Sequence, residues 1–253
     1  MVIYLHLLCL VVGTIFAFSS TEVIMKHNII FIKTTLLSFV LFVVGTFFLS
    51  AQSQYTPDKK SSFGVSGGFS SDDDATSLDL GIGFSILGRG DLGLDYSKIN
   101  FKEKLLGEEL STSAFTFSAS LFPLKQSLKI PVSLAITGAL GFATYTSDAL
   151  DYLGWDMTAT LAGFGLNLYH RINISNSFAL MPSLGFSYTH TKLTIEDSYG
   201  NSVEDTDSQT GLGAGLDFIF PLSQSGLLTL CPSLFFSEES TSFGISLGFV
   251  GVF

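Results

Sequence analysis

The feature that most constrains this chain is an alternation of large apolar residues with small polar ones, repeated along most of its length. Near the C-terminus, Phe243, Ile245, Leu247 and Phe249 alternate with serine and glycine. Successive side chains of a β-strand point to opposite faces, so a period of two predicts strands with one large apolar face. After residue 51, no 3.6-residue helical period is present. The sequence therefore predicts an all-β protein.

The composition of the other face narrows this fold class further. That face carries Gly, Ser, Ala and Thr with almost no charge, and only 13% of all residues are charged. A soluble sandwich would expose Lys and Glu there, whereas a transmembrane barrel turns its apolar face to lipid and small polar residues to its lumen. Lipid offers no hydrogen-bond partner, so such a sheet must close. We predict a membrane barrel, with a soluble lipocalin-like barrel as the alternative.

Ten segments carry the alternation, and many have about the ten residues that a tilted membrane strand needs. They lie near residues 62–70, 77–87, 90–100, 111–122, 130–143, 156–169, 178–194, 209–220, 226–237 and 241–253. We predict an up-and-down antiparallel transmembrane β-barrel of ten strands, with eight as the alternative number. In the sixth segment the apolar phase changes, which predicts a bulge at Ala162–Gly163.

The first 51 residues contain two apolar runs of a different kind. The second run has Lys26 and Lys33 before the apolar stretch 36–49, and Ser50–Ala51 follow it. This is the arrangement of a secretory signal peptide, although a pair of transmembrane helices is an alternative. We predict a wrongly assigned extension (1–24), a signal peptide (25–51), a short periplasmic N-terminal segment (52–61) and the barrel (62–253).

The connections between the predicted strands alternate in charge. One set contains Arg89, Lys125, Lys129 and Arg171. The other set holds most of the acidic residues: Asp72, Asp73, Asp74, Glu103, Glu108, Glu109, Asp148, Asp151, Glu196, Asp197, Glu204, Asp205, Asp207, Glu238 and Glu239. Outer-membrane barrels have short periplasmic turns and longer extracellular loops. We therefore predict that the acidic connections are extracellular.

Acidic residues also provide the candidate binding sites. Asp79, Asp95 and Asp217 fall on the small polar face, and the strands offer no inward Arg or Lys to pair with them. Unpaired lumen carboxylates would favour cations, so a narrow cation-preferring path is one hypothesis, and a tightly packed lumen is another. The run Asp72–Asp73–Asp74 could bind a divalent cation, although a solvated loop tip explains it as well.

The sequence argues against catalysis and against nucleic acid as a partner. His170 and His190 are the only histidines after residue 51 and are predicted at opposite barrel ends, so they cannot form one site. Leu168 and Tyr188 stand two residues before them, so the Asp-x-His pair expected of an omptin-like protease is missing. The net charge of −10 disfavours nucleic acid. We predict no enzyme activity, no cofactor and no metal bound by these histidines.

With this pattern, the chain resembles the small outer-membrane β-barrel proteins of Gram-negative bacteria, of the porin-family or OmpA/OmpX-like type. The most specific residues are the last strand, TSFGISLGFVGVF, and the signal-peptide ending at Ala51. The resemblance implies an outer-membrane location, contact with outer-membrane lipids, and recognition of Leu247, Phe249 and Phe253 by the barrel-assembly machinery. It implies a structural or surface-interaction role, with a narrow passive channel as the alternative and an outer-membrane enzyme as a weaker one.

Overall fold

The computed structural model describes residues 53–237 and 240–253. The predicted extension and signal peptide, residues 1–51, lie outside the described residues, as do Glu238 and Glu239. Within the described ranges, no helix combines the length and apolar character needed to cross a membrane.

The described residues form one antiparallel sheet that closes on itself. Its elements are β1 (Ser62–Ser71), β2 (Ala75–Ile86), β3 (Gly90–Leu105), β4 (Glu108–Leu124), β5 (Ser133–Thr146), α1 (Asp148–Leu153), β6 (Trp155–Tyr169), β7 (Ile172–Ser175), β8 (Phe178–Asp197), β9 (Ser202–Ser223), β10 (Gly226–Ser237) and β11 (Thr241–Val252). Consecutive strands pair with one another except at β7, which pairs with β8 and not with β6. Strand β6 pairs with β8 instead, and β1 pairs with β11. The predicted up-and-down barrel of ten strands is confirmed, with β7 as an addition beside β8.

The barrel wall has the two faces that the alternation predicts. On β4, Phe115, Phe117 and Leu121 are at least half exposed on the outside, whereas Thr116 and Ser118 are buried inside. Similar apolar side chains cover the outside of the other strands and form an apolar belt. Because all wall strands are paired, the backbone groups within this belt are satisfied without water, as a membrane barrel requires.

The sixth strand differs from its prediction. The register of β6 with β8 is continuous from Trp155 to Tyr169, so the predicted bulge at Ala162–Gly163 is wrong. Met157 and Leu161 are buried inside the barrel, and Phe164 lies outside. The apolar phase changes because large residues fill the lumen in the first half of this strand and face outward in the second half.

Two predicted loops are mostly strand. The connections expected near residues 101–110 and 195–208 are continuations of β3–β4 and β8–β9, with tight turns at Leu106–Gly107 and at 198–201. These hairpins extend past the neighbouring strands, where neither lipid nor lumen packing imposes apolar alternation. We call this side of the barrel the loop end. The opposite side, with residue 53, Phe253 and the turns at 87–89 and 224–225, is the terminal end.

One glycine on β9 makes room for an aromatic ring near the loop end. A Cβ at Gly211 would lie 2.0 Å from Cζ of Phe235, whose ring is buried inside the barrel. We expect Gly211→Ala to displace the ring and lower the free energy of unfolding by about 1–3 kcal/mol, measured by urea unfolding in lipid vesicles. Gly138→Ala is the matched control, because no atom lies within 4 Å of its Cβ. Equal effects of the two changes would contradict this packing.

Candidate functional site

The most unusual feature of the lumen is a piece of the chain itself. Residues 53–60, which we call the N-terminal segment, precede β1 and begin inside the terminal end. The Ser53 amide donates to both carboxylate oxygens of Asp91, each at 2.9 Å. The Ser53 hydroxyl donates to Asp91 Oδ1 and shares a 2.7 Å hydrogen bond with Ser85. The segment is therefore bound to the inner wall of β2 and β3.

Tyr55 closes the lumen at this end. Its side chain is buried in an apolar cluster from most of the wall, and its hydroxyl donates to Asp217 Oδ2 at 2.7 Å. The other members of this cluster are Phe122, Ala135, Tyr169, Ala179, Met181, Ile219, Leu227 and Val250, with Val252 packed against them. The Cys231 thiol donates to the other oxygen of Asp217. The N-terminal segment thus acts as an internal plug.

Charged residues hold the plug at its exit. Lys125 Nζ donates to the Thr56 carbonyl and lies 3.5 Å from Asp58 Oδ1, while Arg89 Nη2 lies 3.2 Å from Asp58 Oδ2. The turn before β3 has glycine at residue 88, with φ of +65°, and a Cβ there would lie 2.5 Å from the Pro57 carbonyl. Partial desolvation opposes ionisation of Asp58, but its contacts with Arg89 and Lys125 outweigh it and lower its pKa.

This ion cluster predicts a pH dependence. Because the pKa of Asp58 is lower in the folded protein, its stabilising contribution is complete above the ordinary value of 3.8 and is lost as the pH falls through the lowered value. We expect the difference in unfolding free energy between wild type and Asp58→Asn to shrink across that acidic range. Urea unfolding at a series of pH values measures it. A difference independent of pH would contradict the ion pairing.

The loop end of the lumen is also filled. Phe101 and Tyr145 stack with ring centroids 6.3 Å apart, and Leu150 from α1 is buried. Other buried apolar residues with the same inward phase are Ile99, Leu110, Met157, Leu193, Ile195 and Phe235. Large side chains therefore occupy both ends, and the smaller polar residues lie between them.

A small cavity remains between these two layers. Its volume is about 40 Å³. By the same measure one water molecule needs roughly 10–15 Å³, so the cavity accommodates only a few waters. Asp79, Asp217, Tyr169 and Cys231 line it together with glycine and serine residues of β1, β9, β10 and β11. The lining contains no Lys, Arg or His. The cavity contains two carboxyl groups and is too small for a solute path.

The three acids predicted for the lumen are all inside. Asp79, Asp95 and Asp217 are buried on the inner face, but they do not share one environment. Asp217 accepts from Tyr55 and Cys231, whereas Asp79 and Asp95 lie together on β2 and β3. The cation-preferring path remains a prediction. Sequence reasoning missed Asp91, although it has the same phase as Asp95.

The loop Asp72–Asp74 uses its first carboxylate to form a turn. Asp72 Oδ1 accepts from the amides of Asp74 at 2.8 Å and Ala75 at 2.6 Å, and Lys102 donates to the Asp72 carbonyl. Burial is the main reason that the pKa of Asp72 is raised. Among the described residues, no three or more His, Cys, Asp or Glu side chains are grouped as metal ligands. Cation binding by this loop remains a prediction.

The remaining residues singled out from the sequence lie apart from the lumen. His170 Nδ1 is 2.6 Å from the Pro131 carbonyl at the terminal end, and His190 Nδ1 is 2.9 Å from Ser208 Oγ on the outside of β8–β9. Leu247, Phe249 and Phe253 face outward along the last strand and its end. Their recognition by the assembly machinery remains a prediction.

A closed antiparallel barrel with an apolar belt and a lumen of small polar residues defines a class, the outer-membrane β-barrel proteins. Solved structures support this assignment by fold. The translocator domain of autotransporter NalP from Neisseria meningitidis is similar with a TM-score of 0.53 at 11% identity, over 79% of this chain and 91% of that one. The beta domain of the Bordetella autotransporter BrkA has a TM-score of 0.50 at 13% identity, over 77% and 99%.

Comparisons of sequence add no closer relationship. No family model matches the chain, and no curated protein matches it. By its fold, the chain is a closed antiparallel β-barrel of the kind that outer-membrane proteins have, as the sequence predicts. Its function must be argued from its own residues.

Proposed function

We propose that this protein is a closed outer-membrane barrel with a surface-interaction role, exercised through the loop end. The observation that carries the proposal is a pair of exposed tyrosines, Tyr152 on α1 and Tyr199 in the β8–β9 turn, each 88% exposed. Large aromatic side chains held in water at the tips of a rigid scaffold are typical of binding surfaces.

Both tyrosines are held by ordered backbone. Asp197 Oδ1 accepts from the amides of Tyr199 and Asn201, both at 2.9 Å, and this fixes the turn. Ser147 caps the start of α1, where its hydroxyl accepts from the Ala149 amide, and Gly154 caps the end in the left-handed conformation. A rigid aromatic loses little conformational entropy on binding, which favours recognition.

The two tyrosines belong to one surface patch. A Cβ at Gly154 would lie 3.3 Å from Ser198 Oγ, so the end of α1 packs against the β8–β9 turn. Tyr152 lies two residues before Gly154, and Tyr199 directly follows Ser198. Exposed acidic residues lie near the two tyrosines along the chain: Asp148, Asp151, Asp156 and Glu196. In the proposal, the loop end faces outside the cell and favours partners with positive charge.

The filled lumen supports this role over a passive channel. Tyr55 and its apolar cluster occupy the terminal end, and the cavity lined by Asp79 and Asp217 has room for only a few waters. A solute would have to displace both the plug and the large side chains at the loop end. We therefore expect the purified protein in liposomes to give no flux of small sugars or monovalent cations. Flux with a size limit would restore the channel hypothesis.

The orientation and the patch can be tested on cells. With a maleimide that does not cross the outer membrane, we expect labelling of Tyr199→Cys in intact cells. Leu128→Cys, in a fully exposed turn at the terminal end, should label only after lysis.

We expect the double variant Tyr152→Ala and Tyr199→Ala to bind polyarginine at least tenfold more weakly than wild type. Leu128→Ala is the matched control, and equal binding by both variants would contradict the proposal.

A further inference from the structure

Two buried carboxylates lie side by side on the inner face of β2 and β3. The strand register pairs Asp79 with Ser97 and Gly81 with Asp95, so the two acids are diagonal neighbours on one face. Each is only 6% exposed. The ion pairs that Asp58 and Glu204 form in the described part of the chain do not include these acids. Asp79 and Asp95 thus concentrate negative charge without a neighbouring Lys or Arg.

The glycine between them leaves space for a cluster of oxygen atoms. A Cβ at Gly81 would lie 2.4 Å from Asp95 Oδ1 and 2.6 Å from Ser66 Oγ, so a carboxylate and a hydroxyl share the space above this glycine. Ser77 donates to Asp79 Oδ2 at 2.8 Å. Three adjacent strands thus direct carboxylate and hydroxyl oxygens into one small region of the lumen.

One oxygen in this region lacks a partner. The Ser77 and Ser97 hydroxyls both interact with the Asp79 carboxyl group, but its Oδ1 atom is buried and lies within normal hydrogen-bond distance of no group in the described residues. Asp79 also lines the cavity that accommodates a few waters, and Tyr169, which lines the same cavity, has a buried hydroxyl with no described partner. A buried carboxylate oxygen without a partner is costly, so the arrangement lacks a positively charged or hydrogen-bonding group.

We propose that Asp79 and Asp95, with the serine hydroxyls beside them and cavity water, bind a single hard cation of the Ca²⁺ type. The donors are all oxygen atoms, which suit hard cations and not the softer metals bound by Cys and His. Ca²⁺ accepts six to eight oxygen ligands in irregular geometry, so carboxylate, hydroxyl and water can share its coordination. Mg²⁺ demands a near-ideal octahedron and is disfavoured by such a mixed set.

The ion would neutralise the negative charge of the two adjacent buried carboxylates, which otherwise repel each other. It would also connect β1, β2 and β3 from within, next to the seam where β1 meets β11. The alternative source of neutralisation is a shared proton. The two differ in one measurable respect, because a shared proton gives no saturable metal binding.

Terbium tests the proposal, since Tb³⁺ replaces Ca²⁺ at oxygen sites and its luminescence is excited by nearby tyrosines such as Tyr169. The full protein is refolded in detergent, folding is checked by heat-modifiable gel mobility, and Tb³⁺ is titrated with excitation of tyrosine. We expect saturable luminescence that Ca²⁺ displaces. Asp79→Asn and Asp95→Asn, which preserve side-chain size, should weaken Tb³⁺ binding at least tenfold.

The acidic loop serves as the matched control. A triple Asn variant of Asp72, Asp73 and Asp74 should retain the lumen signal with unchanged affinity. Loss of the signal in this variant, or its persistence in both lumen variants, would overturn the assignment. Absence of saturable binding in the folded wild type would also overturn it and leave the shared proton.

A further variant tests the space above Gly81 without removing a ligand. Gly81→Ala would push Asp95 and Ser66 apart while both carboxylates remain, so we expect a tenfold or larger loss of Tb³⁺ affinity. Gly138→Ala, with open space around its Cβ, should bind as wild type does. If Gly81→Ala folds and binds Tb³⁺ with unchanged affinity, the site does not have the geometry proposed here.

Discussion

Replacing Tyr55 with alanine should lower the free energy of unfolding by about 3–5 kcal/mol, the usual cost of removing a large buried aromatic side chain. Tyr55 contacts an apolar cluster contributed by most of the barrel wall and has its hydroxyl bonded to Asp217. The substitution leaves a cavity there and removes one of the two donors to a buried carboxylate. Urea unfolding of the protein in lipid vesicles measures the effect.

A conservative variant separates packing from hydrogen bonding. Tyr55→Phe retains the ring and removes only the bond to Asp217, so we expect a loss of about 1.5–3 kcal/mol. Tyr152→Ala controls for aromatic truncation outside the lumen, because that side chain is exposed, and should change the free energy by less than about 0.5 kcal/mol. If Tyr55→Ala is as mild as Tyr152→Ala, the N-terminal segment is not an integral plug.

Arginine in place of Phe117 should destabilise the inserted barrel by about 2–4 kcal/mol, because this residue lies on the outer face near the middle of β4. There the guanidinium would have to enter the hydrocarbon core. The measurement is reversible unfolding from lipid vesicles, compared with wild type under the same conditions.

Leu106→Arg provides the comparison for this change. Leu106 is 70% exposed but lies in the β3–β4 turn beyond the belt, so a charge there remains in water and should have little effect. Equal destabilisation by the two arginines would mean that the apolar belt does not define the membrane-embedded surface. A large effect of Phe117→Arg alone fixes the depth of β4 in the bilayer.

The sequence predicts the wall of the barrel well, because lipid and lumen impose opposite demands on successive residues. Phe115 and Thr116 show this on β4, where the first is exposed and the second buried. The prediction of strands from alternation fails where either the lipid or a lumen of small polar residues is absent. The hairpin extensions at Lys104 and Glu204 meet neither lipid nor packed lumen, so their extended structure has no apolar period. On β6, Leu161 faces a lumen filled with apolar groups, which reverses the expected phase.

For the candidate sites, the alternation indicates only which face of a strand a residue lies on. Asp79, Asp95 and Asp217 could be placed inside because they share the phase of the small residues. Tyr55 could not, since the N-terminal segment has no periodic pattern and its position depends on contacts with residues far along the chain. The pairing of Asp79 with Asp95 depends on strand register, and the space above Gly81 depends on the side chains around it.

The contacts at the terminal end have a practical consequence for handling this protein. Ser61 and Phe253 exchange backbone hydrogen bonds of 2.9 and 3.1 Å at the seam of the barrel, and Ser53 is bound inside it. An affinity tag or fluorescent protein joined directly to Ser53 or Phe253 would disturb these contacts. The tip at Leu106–Gly107 has open space around it and is the better insertion point for an epitope.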